Sequence, residues 1–291
     1  MASKISLHTI QLLIIFLLSV SCSKQEKTED GVVKVNKNGI PVMMPLQEEL
    51  PKLSTAFIND KKYGVSRFFE KTWSEKNDNV AFLVAKNGQI IYENYMGFAN
   101  KRTGEMITKE MPLHIASVSK VLTSTAILML VDTKKISLNQ KVNTIIENFP
   151  YPDVTIQTLL NHRSGMRNYA YFTFENGNWD KKETLTNEDI VKVMVEKEIS
   201  LERPTDTGFG YCNTNYAYLA YLISKIAGLP FHQFVEERIF KPAGMRNSFY
   251  LGYKPESIKA RVLIGRLSHH EYNEPYYMDG ILGDKSLYSN V

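Results

Sequence analysis

Cysteine is almost absent from this chain: 291 residues contain two, Cys22 and Cys212. That excludes a disulfide framework. The six histidines include no His-Glu-x-x-His pair and no Cys/His cluster at zinc spacing, so nothing points to a metal hydrolase. An excess of one charge is lacking too. The 35 basic and 31 acidic residues leave a formal net charge of +4, and no basic run is interleaved with aromatics, which argues against a nucleic-acid partner. No apolar run reaches the ~20 residues of a membrane-spanning helix. No internal repeat is present. What remains, 43% hydrophobic and 23% charged residues, is the composition of a globular chain long enough for a large core.

The first residues read as an address. Lys4 precedes an apolar stretch over 10–18, broken only by Gln11, and small residues follow: Ser19, Val20, Ser21, then Cys22. Such a run is too short to span a bilayer and fits the core of an export signal. A cysteine closing a small-residue stretch resembles a bacterial lipobox, in which the thiol is acylated and becomes the new N-terminus. Ser19 stands where that motif prefers an aliphatic residue. The resemblance implies an exported protein held by lipid on Cys22 to a bacterial membrane, facing the periplasm or the exterior. A plain secretory signal with an incidental cysteine is the alternative. The expected division is a signal peptide at 1–21, a polar tether at 22–45 and a folded domain at 46–291.

Within that domain, apolar spacing over 54–73 is compatible with a helix, although Gly64 interrupts it. Two β-rich runs over 80–95 flank Asn87-Gly88. Asn-Gly supplies the positive φ that a type I′ turn needs at both central residues, so these runs predict a hairpin. Helices are expected at 118–131, 155–161, 187–198, 216–227 and 231–239. Early strands followed by a long helical block predict an α+β domain with a helical lobe.

The chemistry-bearing residues sit at two helix starts. Ser117 and Lys120 form Ser-x-x-Lys. At helical spacing the two share a face, so the ammonium lies beside the hydroxyl. A helix N-terminus also offers unpaired N–H groups and a positive dipole end, which suit an oxyanion. The motif alone is weak: Ser21-Cys22-Ser23-Lys24 repeats it in the tether. A serine cap with a solvated lysine is the structural alternative. Tyr211-Cys212-Asn213 follows 94 residues after Ser117. A tyrosine near a cation suits proton transfer, and an asparagine amide can hold both a lysine and a substrate carbonyl. Tyr92-Glu93-Asn94 has the same spacing but lies in the expected hairpin strand and reads as structural.

Order and surroundings add specificity. Ile115-Ala116-Ser117-Val118-Ser119-Lys120 comes first, then Leu159-Leu160-Asn161-His162-Arg163-Ser164-Gly165-Met166. Tyr211-Cys212-Asn213-Thr214-Asn215-Tyr216 follows, and Phe240-Lys241-Pro242-Ala243-Gly244-Met245 comes last. Together these blocks resemble the serine β-lactamase family in its class C branch, which includes penicillin-binding D-Ala-D-Ala carboxypeptidases and related esterases. The resemblance runs from about Leu46 to the last residue. It implies a β-lactamase/transpeptidase-like fold, a helical lobe with an antiparallel sheet. It implies Ser117 as nucleophile, Lys120 as general base or its partner, Tyr211 as the proton-transferring phenol and Asn213 as substrate and lysine ligand. It implies a monomeric hydrolase forming an acyl-enzyme on a β-lactam, a D-Ala-D-Ala peptide or a small ester, without cofactor or metal. The Asn161–Gly165 block looks like the family's loop signature and is assigned a structural part.

One departure qualifies this. The family's third motif, Lys-Thr-Gly or His-Ser/Thr-Gly, does not occur after Asn213, and residues 283–291 resemble a block upstream of it. The expectation is therefore a C-terminally truncated copy with an incomplete sheet, or a catalytically inactive, lipid-anchored remnant that binds cell-wall peptide. Cys212 and His114 are expected to pack, and His269-His270 to lie in a loop. The aromatic stretches 169–174 and 272–277 are expected to line a cleft or to pack over loops.

Overall fold

The computed structural model of the chain describes residues 33–35, 39, 41–43, 49–74, 78–100, 103–250, 252–254 and 277–290. The expected signal peptide, Cys22, most of the tether, the His269-His270 pair and residues 272–276 lie outside them. Strand β1 (Val33–Val35) pairs antiparallel with β2 (Pro41–Met43). Helix α1 (Thr55–Trp73) begins where the Ser54 hydroxyl accepts from the Phe57 N–H at 3.2 Å. It runs through Gly64 unbroken. Its aromatic residues pack on the hairpin behind it: Phe69 lies 5.6 Å from Phe82 and 5.9 Å from Tyr92, and Trp73 lies 5.1 Å from Phe82. That contact offsets the roughly 1 kcal/mol by which a mid-helix glycine trails alanine.

The hairpin forms as its turn chemistry requires. Strands β3 (Val80–Lys86) and β4 (Gln89–Met96) pair antiparallel around Asn87 and Gly88, at φ 51° and 70°, with a register shift between Val84 and Ala85. Among the described residues this pair is a two-stranded sheet. Strands β5 (Phe98–Asn100) and β6 (Glu105–Met106) make a second short pair. A three-stranded antiparallel sheet brings together distant segments in the order β7 (Leu113–His114), β9 (Leu287–Ser289), β8 (Phe249–Tyr250). His114 packs as expected, its ring 5.2 Å from that of Tyr288.

The helical lobe carries the main core. Helix α2 (Ser119–Asp132) buries Thr123, Ala126, Ile127 and Leu130. Short helices α3 (Ile156–Leu160) and α4 (Tyr169–Phe172) follow, and then α5 (Asn187–Glu196), whose Thr186–Asp189 capping box is complete. Helix α6 (Asn213–Ala227) runs through the centre with residues 214–220 all buried, and stops at Gly228 in the left-handed conformation. It begins three residues before the start expected from apolar spacing, because Cys212 precedes it without a side-chain cap to mark the boundary. Helix α7 (Phe231–Val235) continues into a π turn at Glu236–Phe240.

One crossing sets the depth of the lobe. Gly283, at φ +94°, passes so close to α6 that an added Cβ would lie 2.6 Å from the Ala220 Cβ and 2.8 Å from the Tyr216 carbonyl oxygen, whereas at Gly64 nothing lies within 4 Å. Gly283→Ala should therefore cost about 1–3 kcal/mol of unfolding free energy. Gly64→Ala should add about 0.4–1 kcal/mol. Urea midpoints moving in opposite directions are the expected result; midpoints moving together would contradict it.

Candidate active site

The backbone enters the site under constraint. Ile115 donates its N–H to the Leu287 carbonyl at 3.0 Å. Ala116 then takes φ 45°, a left-handed conformation that is unfavourable for any residue with a Cβ. The kink sets Ser117 on a 3₁₀ turn (Ala116–Val118) with its residue exposed, while the chain immediately dives inward. Ser119 is fully buried and Lys120 is 7% exposed. Ser119 fastens the kink. Its hydroxyl donates to the Ala116 carbonyl at 2.5 Å and accepts from the Leu287 N–H at 3.2 Å.

Lys120 is not the solvated lysine of the structural alternative. From the first turn of α2 its ammonium donates to Ser117 Oγ at 3.1 Å, to Asn213 Oδ1 at 2.9 Å and to the Asp284 carbonyl at 2.7 Å. An ammonium has three N–H donors, and each finds an acceptor. The cation also faces the rings of Tyr211 and Tyr216, at 5.0 and 5.6 Å from their centroids. Tyr211 completes the arrangement, its hydroxyl donating to Ser117 Oγ at 2.8 Å. The structure thus brings Ser117, Lys120, Tyr211 and Asn213 together. Ser117 is exposed and Lys120 is buried beneath it. In the Tyr92–Asn94 copy, Asn94 Nδ2 donates to the Tyr92 hydroxyl at 3.0 Å and Glu93 accepts from the Tyr95 hydroxyl at 2.9 Å.

Tyr211 belongs to a loop docked against the Asn161–Gly165 block. Asp206 N–H donates to the Arg163 carbonyl and Gly210 N–H to the His162 carbonyl, both at 2.8 Å, and the Thr205 hydroxyl donates to the Ser164 carbonyl at 2.9 Å. The Arg163 guanidinium grips Asp206 at 2.5 Å. His162 is buried under Tyr211. Burial, with the Lys120 cation adding to it, pushes its imidazole down to about 4, so the ring is neutral near pH 7. Cys212 is buried and burial pushes its thiol up, which agrees with a packing residue.

The third side of the site is the segment 277–290. Asn187 fixes it from α5, donating to the Leu282 carbonyl at 2.8 Å and accepting the Leu282 N–H at 2.9 Å. Thr123 donates to the Gly283 carbonyl at 2.7 Å. Asp284 is wholly buried. Its Oδ2 accepts from the Tyr169 hydroxyl at 2.6 Å, and its Oδ1 has no partner among the described residues. Burial raises the pKa of this carboxyl, against the opposing pull of Lys285, the Tyr169 hydroxyl and Lys120. The tyrosine-rich stretch after Asn168 divides: Tyr169 and Phe172 are buried, whereas Tyr171 is 63% and Phe174 47% exposed.

Sequence reasoning missed Ser119, Asn187 and Asp284, and it gave His162 only a structural part. Ser119 lay inside the motif already recognised. For Asp284 the available signal was a carboxylate amid the otherwise mostly apolar and small residues 281–287.

Comparison with known proteins gives the family and the fold. The family model described as Beta-lactamase matches residues 65–280. Penicillin-binding protein 4* of Bacillus subtilis strain 168 is 28% identical over 250 residues, covering 79% of this chain and 53% of that protein. A D-aminopeptidase of Brucella anthropi is 29% identical over 173 residues, covering 60% and 33%. Among solved structures, the octameric penicillin-binding protein homologue from Pyrococcus abyssi superposes with a TM-score of 0.62 at 25% identity, covering 82% of this chain and 54% of that one. The chain spans about half the length, or less, of the curated relatives it matches. The fold is of the β-lactamase/transpeptidase type, mixed α+β.

The buried carboxyl has a consequence for stability. A carboxyl whose folded pKa is raised costs nothing where both states are protonated. It destabilises the fold progressively as pH rises above its unfolded value of about 4 and toward the folded one. Asp284→Asn removes that titration. The stability of the variant relative to the parent should therefore grow between pH 4 and 8 in urea unfolding, and parallel pH profiles would contradict the raised pKa.

Proposed function

The chain belongs to the Beta-lactamase family, and from that premise we propose that it is a serine hydrolase acting through an acyl-enzyme on an amide or ester. The observation that carries this reading is the pair of hydrogen bonds converging on Ser117 Oγ, from Lys120 at 3.1 Å and Tyr211 at 2.8 Å. In the reading, Tyr211 acts in its deprotonated form beside the Lys120 ammonium: Ser117 Oγ attacks the substrate carbonyl carbon as its proton passes along the 2.8 Å contact to the Tyr211 oxygen. The carbonyl π electrons move onto oxygen, where N–H groups at the start of the 3₁₀ turn stabilise the charge. Tyr211 returns a proton to the leaving amine or alkoxide as the bond to carbon breaks. Water then attacks the acyl carbon, gives its proton to the same base, and Ser117 recovers its hydrogen as it departs. Asn213, already bound to the ammonium through Oδ1, presents its Nδ2 donors toward a substrate carbonyl.

The substrate class we favour is a β-lactam, a D-alanyl peptide or a small ester. Support comes from two of the relatives, a penicillin-binding protein and a D-aminopeptidase. A β-lactam offers a strained acyl group and a D-alanyl peptide a D-configured one.

A fluorophosphonate and a fluorescent penicillin test the reading together. The fluorophosphonate should label Ser117 in the full chain and leave Ser117→Ala blank. Tyr211→Phe should slow labelling by about 10²–10⁴-fold. Penicillin labelling in addition would select the β-lactam or D-alanyl class over a simple esterase. No label from either reagent, or equal label in Ser117→Ala, would discard the hydrolase and favour a non-catalytic member of the family that binds cell-wall peptide.

A further inference from the structure

The phenol of Tyr211 is 53% exposed and sits on a loop, yet its hydroxyl must stay on Ser117 for the proposed chemistry. Something has to hold it. The surrounding contacts single out one side chain from the block that carries no reacting atom. His162 is 8% exposed and adopts φ 54°, a left-handed backbone that is uncommon for residues other than glycine. With that backbone it grips both neighbours of Tyr211. Its carbonyl accepts the Gly210 N–H at 2.8 Å, and its Nδ1 accepts the Cys212 N–H at 3.2 Å. Its ring lies between two tyrosines, 4.5 Å from Tyr211 and 5.1 Å from Tyr216, each tilted by less than 40°, and Phe209 closes its edge at 5.9 Å.

The hydrogen-bond network fixes the tautomer. A backbone N–H only donates, so Nδ1 must carry a lone pair toward Cys212. Asn215, fully buried, also faces Nδ1 at 3.3 Å and must therefore present its NH₂ there. Its Oδ1 is then free to accept the Ser164 hydroxyl, as it does at 2.6 Å. The neutral ring consequently holds its proton on Nε2. Protonating Nδ1 would point a third donor at two donors and place a cation beside Lys120.

We infer that His162 is the positioning residue for the reacting phenol: a neutral imidazole that clamps the backbone on both sides of Tyr211 and backs its ring, so that the hydroxyl stays on Ser117. This rests on the hydrolase reading for its kinetic effect but not for its geometry. The groups facing the ring are Tyr211 from its loop, Tyr216 and Cys212 from the start of α6, and Lys120 from α2; the Arg163–Asp206 pair lies on the adjoining loop.

Two variants separate clamp from packing. Asparagine tolerates the left-handed backbone and places an Oδ1 acceptor near the position of Nδ1. Phenylalanine keeps the stack without the acceptor. Each would be made in the full chain, with folding checked by thermal unfolding and the rate of fluorophosphonate labelling measured against pH. The expected result is a loss of at least about 10-fold in His162→Phe, with His162→Asn within a few-fold of the parent. Equal rates in the parent and His162→Phe, or equal losses in both variants when both fold, would overturn the clamp. If the parent is not labelled at all, the hydrolase reading fails, and nitrogen NMR of the histidine-labelled chain still decides the clamp. An unprotonated Nδ1 that persists well below pH 6 supports it. An Nδ1–H tautomer, or titration near the ordinary value of about 6.5, refutes it.

Discussion

A single buried ammonium holds this site together. Lys120 gives its three protons to a side chain on the preceding turn, to the first residue of α6 and to the main chain at Asp284, 164 residues away. Taking a cation out of water is costly unless every donor is satisfied and the surroundings are polarisable. Here three oxygens and two aromatic faces meet that requirement. Removal of any one acceptor would leave a buried charge partly unpaired, so α2, α6 and the 277–290 segment are coupled through one nitrogen.

The surrounding structure serves to fix those acceptors. Ala116 accepts an unfavourable backbone angle, and Ser119 holds that angle by bonding both to Ala116 and to β9. Gly283 allows the last segment to lie against α6, which brings the Asp284 carbonyl within reach of Lys120. Asn187 and Thr123 pin the same segment from two helices. The rigid layer is thus deep, and the exposed residues Ser117 and Tyr211 sit at its surface. That division, a preorganised interior under an exposed serine, is what the proposed acyl transfer needs.

What was legible in the residues was local. Asn87-Gly88 dictated its turn, Thr186 and Asp189 dictated the start of α5, and the three-residue spacing of Ser117 and Lys120 dictated that they share a face. The link between that pair and Tyr211–Asn213 came from the order of several blocks, not from any single motif. The start of α6 was hidden because Cys212 offers no capping side chain. Asp284 and Ser119 were hidden for another reason. Their partners lie more than 100 residues away, Tyr169 for one and Leu287 for the other, and no local pattern records such a contact. His162 was visible as part of a block, but its grip on both sides of Tyr211 exists only once two loops have docked.

The central claim is that an ammonium, and not merely a positive charge, organises the site. Arginine keeps the charge but spreads its donors over a planar fork that cannot meet three convergent oxygens. The rate of Ser117 phosphonylation in Lys120→Arg, measured on folded full-length protein, tests this directly. A fall of about 10²-fold or more with the fold retained is the expected result. A rate equal to that of the parent would contradict the account.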